Sequence, residues 1–427
     1  MRDYELTSAT LAAALADPAL ESMNFLNEIA SRYPGAISFA SGRPTEEFFD
    51  VAEIHRYIDI YCEYLRRERG YDDAMVRREV FQYGRTKGLI HELIARHLGR
   101  DEGIRADPEA LVVTVGCQEA MFITLRALRA TDRDVLLAVS PVYVGLTGAA
   151  RLVDLPIWPV RSGKDGIDFD HLTAQIAKAR AQGRRAHACY LMPDFANPSG
   201  TSLTIGQRRE LLEIAAEQDI LLLEDNPYGL FHDGEHMPTL KALDRGRSVI
   251  YLGSLAKTGF PGLRVGYVLA DQRVLGQGLL ADELSKIKSM VTVNTSAVAQ
   301  AVAGGKLLRH GCSLRAANHR ETATYLRNMR RLLAGLEDRF TGSAVTWNRP
   351  CGGFFAVVTT PFPADDAALE HSAHEHGVLW MPMRHFCTEN AGDRQLRLAC
   401  SQLSAEQIET GVDRFAAFVT SYGPAAA

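Results

Sequence analysis

From about residue 108 onward, short apolar runs alternate with stretches whose apolar residues recur every three or four positions. The runs at 110–115, 134–139, 187–192, 220–223 and 248–253 lack internal polar alternation and are closed by turn-forming residues. Such runs read as strands buried on both faces. The stretches between them, 116–128 and 207–218 among them, carry helical periodicity. Strand–helix alternation of this kind predicts an α/β fold with a mostly parallel sheet covered by helices. Upstream, 51–100 is helical apart from the break Gln82-Tyr83-Gly84-Arg85-Thr86-Lys87-Gly88, and a strand at 36–40 runs into Ser41-Gly42-Arg43-Pro44. Residues 1–30 place Leu11, Leu15, Met23, Phe25, Leu26 and Ile29 at roughly helical spacing, which predicts a helix serving core or dimer contact.

Residues 280–310 read as a long helical connection. Beyond about 315 the pattern changes to a smaller α+β unit: a helix at 315–336, strands near 344–347 and 354–358, a helix at 365–376, a strand at 394–399 and a closing helix at 405–420. The N-terminal segment is expected to pack on this unit. The expected division is therefore a large domain, 46–314, and a discontinuous small one, 1–45 with 315–427. A length of 427 residues agrees with more than one domain.

Composition narrows the classes. Hydrophobic content of 46% with 23% charged residues is that of a soluble globular protein. A net charge of -5 without basic runs argues against a nucleic-acid partner. No apolar run is long enough for a bilayer, and the N-terminus lacks the basic start and apolar core of a signal peptide. The seven cysteines are scattered with no C-x-x-C pair, so neither a metal site nor a disulfide framework is expected, and a reducing cytoplasm is the natural setting. The closing Gly-Pro-Ala-Ala-Ala reads as a frayed end.

The chemistry gathers just after the strands, where open α/β sheets bind ligands. Beyond the run at 248–253 stand Ser254, Lys257 and, after a Pro-Gly turn, Arg264. A lone lysine after a strand is ordinarily a solvated loop residue. Here two phosphate-binding side chains bracket it on a glycine-rich frame, which suits an amine that forms an imine with pyridoxal 5'-phosphate. That cofactor makes further demands, and each has a candidate. Gly116-Cys117-Gln118 opens a helix whose free N–H groups can meet a phosphate. Asp225 can keep the pyridine nitrogen protonated, although an acid beside Pro227-Tyr228-Gly229 also reads as a plain turn former. Tyr228 and Asn197 can donate to the ring oxygen, and Tyr143 can stack on the ring. Gly42 fits a close approach to a ligand, and Arg43, otherwise an ordinary loop arginine, is a candidate to reach substrate.

The segments Asn197-Pro198-Ser199-Gly200, Glu224-Asp225-Asn226-Pro227-Tyr228-Gly229 and Ser254…Lys257…Arg264 resemble, in order and spacing, those of fold-type I class I/II aminotransferases. The aminoadipate and kynurenine aminotransferase subgroup looks nearest, and the resemblance covers nearly the whole chain. It implies a sheet of the seven-stranded type, a two-domain subunit, and a homodimer with active sites at the interface. It also implies that Lys257 carries the cofactor covalently and Asp225 pairs with its ring nitrogen. Tyr228 and Asn197 would bind the ring oxygen, while Tyr143 would stack. Ser254, Arg264 and the turn Gly116-Cys117-Gln118 would hold the phosphate, and Tyr83 would reach the partner subunit's phosphate. Arg397 matches the arginine that grips the substrate α-carboxylate; alone it would read as a strand-end surface residue. Cys351-Gly352-Gly353-Phe354-Phe355 resembles a turn lining the site.

Three departures stand out: Ala256 where a second phosphate-binding serine is common, Cys117 in place of a serine, and Arg43-Pro44 after Gly42. The opening Leu20-Glu21-Ser22-Met23-Asn24-Phe25-Leu26-Asn27-Glu28 with Gly42-Arg43-Pro44 looks like arylglycine-type transaminases of peptide-antibiotic pathways, and enduracididine-forming relatives would look similar. The expected reaction is ping-pong transfer of an amino group between an amino acid and a 2-oxo acid, with Lys257 as base and then acid. Glutamate and 2-oxoglutarate form the pair that the resemblance implies. A lyase or oxidase on the same fold would use the same lysine and aspartate. A non-catalytic effector-binding relative is the other alternative, against which the chain keeps every group of the proton-transfer centre.

Overall fold

The computed structural model describes residues 5–17, 20, 25, 28–163, 166–387 and 391–423. Seven strands form the central sheet: β1 Leu111–Val115, β2 Asp134–Val139, β3 Ile157–Val160, β4 Arg185–Leu191, β5 Leu221–Asp225, β6 Val249–Ser254 and β7 Val265–Leu269. Across the sheet they lie in the order β1-β7-β6-β5-β4-β2-β3. Strand β7 runs antiparallel to both its neighbours, and the remaining pairings are parallel. Successive side chains of a strand point to opposite faces. Accordingly Val112 joins one buried cluster with Met121 and Leu146, whereas Leu111 and Val113 join another with Leu93 and Leu307. Both faces are covered, which is why these strands read as unbroken apolar runs.

Helix α1, Val51–Arg67, begins where the Asp50 carboxylate accepts from Ala52 N–H and ends on Arg66 and Arg67, a charge order that complements its dipole. Helix α2, Gly116–Leu128, follows β1 directly. The expected connection at 280–310 is two helices, α3 Leu280–Val291 and α4 Ala297–Arg309. The break is fixed by Val293 in the left-handed region (φ 64°) and by Thr295 Oγ1 donating to Val113 O.

A second, antiparallel sheet holds β8 Thr346–Trp347, β9 Phe355–Thr359, β10 Met381–Pro382 and β11 Gln395–Ala399, in the order β8-β9-β11-β10. Its core is built around Trp380 with helices Asp366–His376 and Ala405–Tyr422. The N-terminal segment joins here, because Ile37–Ser38 pairs in parallel with Val378–Leu379.

Two expectations need correction. Residues 5–17 form short 3-10 turns at Ser8–Thr10 and Ala13–Ala16, with Leu11 and Leu15 exposed, instead of the first half of one long helix. Asp17-Pro18 is a poor place to continue a helix, since proline restricts the residue before it. Met23, Leu26 and the last three alanines lie outside the described residues. The helix expected at 315–336 is instead a short helix Leu314–Ala317 followed by α5, His319–Phe340. Asn318 separates them, its Nδ2 donating to Leu314 O and Thr258 O, which ties the junction to the residue after Lys257.

Candidate active site

Parallel strands release their following turns at one edge of the sheet, and that edge collects the candidate side chains. Asp225 is the last residue of β5 and Ser254 the last of β6. Tyr143 follows β2 and Asn197 follows β4. Because β7 is antiparallel, its beginning lies at the same edge, so Lys257 and Arg264 sit in the loop between β6 and β7. Arg264 adopts a left-handed backbone (φ 52°), a conformation that an L side chain holds only when its surroundings impose it.

These groups share one cavity of about 620 Å³. Gly42, Arg43, Cys117, Gln118, Tyr143, Asn197, Asp225, Tyr228, Ser254, Lys257, Arg264 and Arg397 all line it. Gly116 lies directly under Arg264, where a Cβ would run into the guanidinium. Tyr83 is not part of this wall; it is 84% exposed.

Lys257 Nζ donates to Gly42 O at 2.8 Å and stands 5.8 Å from the Tyr228 ring. Burial, together with Arg397, Arg264 and Arg43, lowers its pKa to about 8. Asp225 is buried, with Tyr190 Oη donating to Oδ2 at 2.7 Å and Cys117 Sγ reaching Oδ1 at 3.7 Å. Burial outweighs those two donors and pushes the carboxyl up to about 7. Arg397 lies between the rings of Phe355 and Phe386, at 4.5 and 5.0 Å. Its Nη1 donates to Asn197 Oδ1 and its Nη2 to Ala40 O, both at 2.6 Å, while buried Nε has no partner among the described residues. Burial lowers this guanidinium to about 10.

The donor set fits pyridoxal 5'-phosphate on observations internal to the chain. An uncapped helix start faces the cavity beside Arg264 and Ser254, as a phosphate needs. A buried carboxylate without an ion-pair partner among the described residues awaits a cation. A buried arginine Nε without a hydrogen-bond partner among the described residues suits an anionic ligand.

Sequence reasoning missed Tyr190, Phe386 and the carbonyls of Ala40 and Gly42. For Tyr190 a signal existed: a phenol in the buried, apolar second half of its strand needs a hydrogen-bond partner, and Asp225 ends the neighbouring strand. Backbone acceptors carry no signature in side-chain identity.

Residues 67–415 match the family described as aminotransferase class I and II. The chain is 56% identical over 418 residues, 98% of its length and 95% of the relative's, to (S)-3,5-dihydroxyphenylglycine transaminase of Amycolatopsis orientalis. Among solved structures, α-aminoadipate aminotransferase of Thermus thermophilus, complexed with N-(5'-phosphopyridoxyl)-L-leucine, superposes with a TM-score of 0.77 at 26% identity, covering 96% of this chain and 99% of that one. Kynurenine aminotransferase of Pyrococcus horikoshii shares the fold, with a TM-score of 0.82 at 24% identity over 99% and 98% of the two chains.

Proposed function

The chain belongs to the class I and II aminotransferases, and on that footing we propose that it transfers the amino group of an arylglycine to or from a 2-oxo acid, with glutamate and 2-oxoglutarate as the other pair. It is a transaminase dependent on pyridoxal 5'-phosphate. When bound, that group supplies an aldehyde that takes up amino groups and a pyridinium that draws electrons from the carbon bearing the nitrogen.

Lys257 would hold the cofactor through Nζ and, with that amine free, would move a proton. With a pKa of about 8 its Nζ is partly neutral at physiological pH, so it can take the Cα proton and return it. Asp225 would hold the ring N–H, and Tyr228 with Asn197 would meet the ring oxygen. Tyr143, which lines the cavity, would cover the ring face and keep water from it. Arg264, Ser254 and the amides of Gly116, Cys117 and Gln118 bind the phosphate. Arg397 grips the α-carboxylate through a planar fork. Arg43 lines the same cavity as Leu20, Met121 and Leu152. Its side chain has no hydrogen bond or ion pair among the described residues. A flat ring with polar substituents satisfies both the apolar wall and the free guanidinium.

One observation carries this reading: Lys257, Asp225, Arg264 and Arg397 line a single cavity. The 56% identity to a dihydroxyphenylglycine transaminase supports the arylglycine. A panel of arylglycines and common amino acids, each with 2-oxoglutarate, tests it by glutamate formation. Arylglycines are expected to lead in kcat/KM, and Lys257→Ala to lose about 10²–10⁴-fold or more in turnover. Normal turnover by that variant sinks the catalytic assignment; no preference for aryl side chains sinks the substrate.

We also place the chain in a homodimer, with Tyr83 reaching the partner's phosphate. Exposed Phe81, Tyr83, Met290, Val291 and Val293 support an apolar contact surface. Their two loops lie together, since Lys87 O accepts from Val113 N–H and Thr295 Oγ1 donates to Val113 O. We keep the domain division 46–314 against 1–45 with 315–427 as part of this proposal, and the presence of two separate sheets supports it. Among the described residues no helix is long and apolar enough to cross a membrane. The seven free cysteines support a cytoplasmic setting.

A further inference from the structure

We propose that Tyr190 and Cys117 are positioning residues for Asp225, a strong donor on one carboxylate oxygen and a weak donor on the other, which together fix its direction and its hold on a proton. The inference rests on the reading that Asp225 faces the cofactor's ring nitrogen. Asp225 ends β5; Tyr190 lies on the adjacent β4, in register with Leu223. Its hydroxyl therefore reaches Asp225 Oδ2 from within the sheet, at 2.7 Å. Cys117 stands in the first turn of α2 and approaches Oδ1 from above, at 3.7 Å. Both donors are rigidly mounted, one on a strand and one on a helix.

Among the described residues no lysine, arginine or histidine forms an ion pair with Asp225, so these two groups are what the carboxylate has. Tyr143 and Tyr228 feel its charge from the cavity side, and Arg264 acts on Cys117 from the phosphate side. Burial keeps the Cys117 thiol protonated by raising it well above its usual range, so it serves as a donor. A thiol donates weakly, and a serine hydroxyl there would make a shorter, stronger bond to the carboxylate. The cysteine thus leaves Asp225 more basic than two hydroxyl donors would. A more basic carboxylate holds a ring N–H more firmly.

The decisive measurement is the titration of Asp225 in the cofactor-free chain, by ¹³C NMR of aspartate-labelled protein, with Asp225→Asn identifying the signal. Tyr190→Phe, which removes one oxygen, is expected to move the midpoint up by about one pH unit. Cys117→Ser is expected to move it down and Cys117→Ala up, an opposition that mere loss of packing does not produce. Equilibrium dialysis against pyridoxal 5'-phosphate reads the loss of direction separately: without the orienting Tyr190 hydroxyl the carboxylate, although more basic, is misaligned, and Tyr190→Phe holds the cofactor about tenfold more weakly. Midpoints unchanged in both Tyr190→Phe and Cys117→Ser, or a rise in Cys117→Ser, overturn the proposal. If instead Asp225→Asn retains cofactor as well as the wild type, the placement of the ring nitrogen fails, and the NMR midpoints still decide whether Tyr190 and Cys117 govern the carboxylate.

Discussion

Arg397 is clamped between two phenyl rings, a mount that a planar guanidinium fills and an ammonium does not. Arg397→Lys is therefore expected to raise KM for amino acids about 10- to 100-fold with a smaller fall in kcat, read by steady-state kinetics. Lys257, lowered to about 8, gains its neutral form as pH rises through that value. In the cofactor-free chain its labelling by an amine-directed reagent, followed by peptide mapping, should rise with a midpoint near 8 instead of near 10.5. Asp225 gives a stability test. Its folded pKa of about 7 lies above the unfolded carboxyl's, so the folded chain binds that proton more tightly and ionisation costs stability as pH rises from about 4 to about 7. Urea midpoints of Asp225→Asn relative to wild type, without cofactor, should improve steadily across that window and level off above it. Lys257, Asp225 and Arg264 were legible in the sequence because turn residues announce them. Arg397 needed the family resemblance, since inside a strand of a small sheet nothing local marks an arginine as functional. Tyr190 and Phe386 passed for core.

At the level of elements, the alternation of apolar runs and amphipathic stretches was enough to read five of the central strands. Strand β3 contains Pro159 and lies at the sheet edge, where a missing N–H is tolerated but the strand pattern is weakened. Strand β7 was hidden because it is short and carries Gly266, which weakens its strand pattern. Its direction matters most, for an antiparallel β7 brings Arg264 back to the edge that holds Lys257. Gly266 in β7 packs against the start of α2, and a Cβ there would press on the Cys117 amide. Gly266→Ala is expected to cost about 1–3 kcal/mol in denaturant unfolding and to loosen cofactor binding in dialysis. Residues 5–17 misled because leucine spacing alone does not say whether Leu11 and Leu15 are covered.

For the whole molecule, the two sheets were legible and their joining only partly so. The pairing of Ile37–Ser38 with Val378–Leu379 carries the N-terminal strand across to the small sheet and leaves Ala40, Gly42 and Arg43 beside the cavity. Met290→Glu combined with Val293→Glu is expected to shift sedimentation from dimer to monomer and to reduce activity, whereas an unchanged sedimentation coefficient would move the contact surface elsewhere. The cavity itself gathers Arg43, Arg264, Arg397 and Lys257 against Asp225, the one acid among its described lining residues. Such an interior attracts small inorganic anions whenever cofactor and substrate are away. Phosphate or sulfate in a buffer should thus raise the melting temperature of the empty protein and weaken the apparent affinity for cofactor. Preparations in a bulky zwitterionic buffer will report the stronger binding.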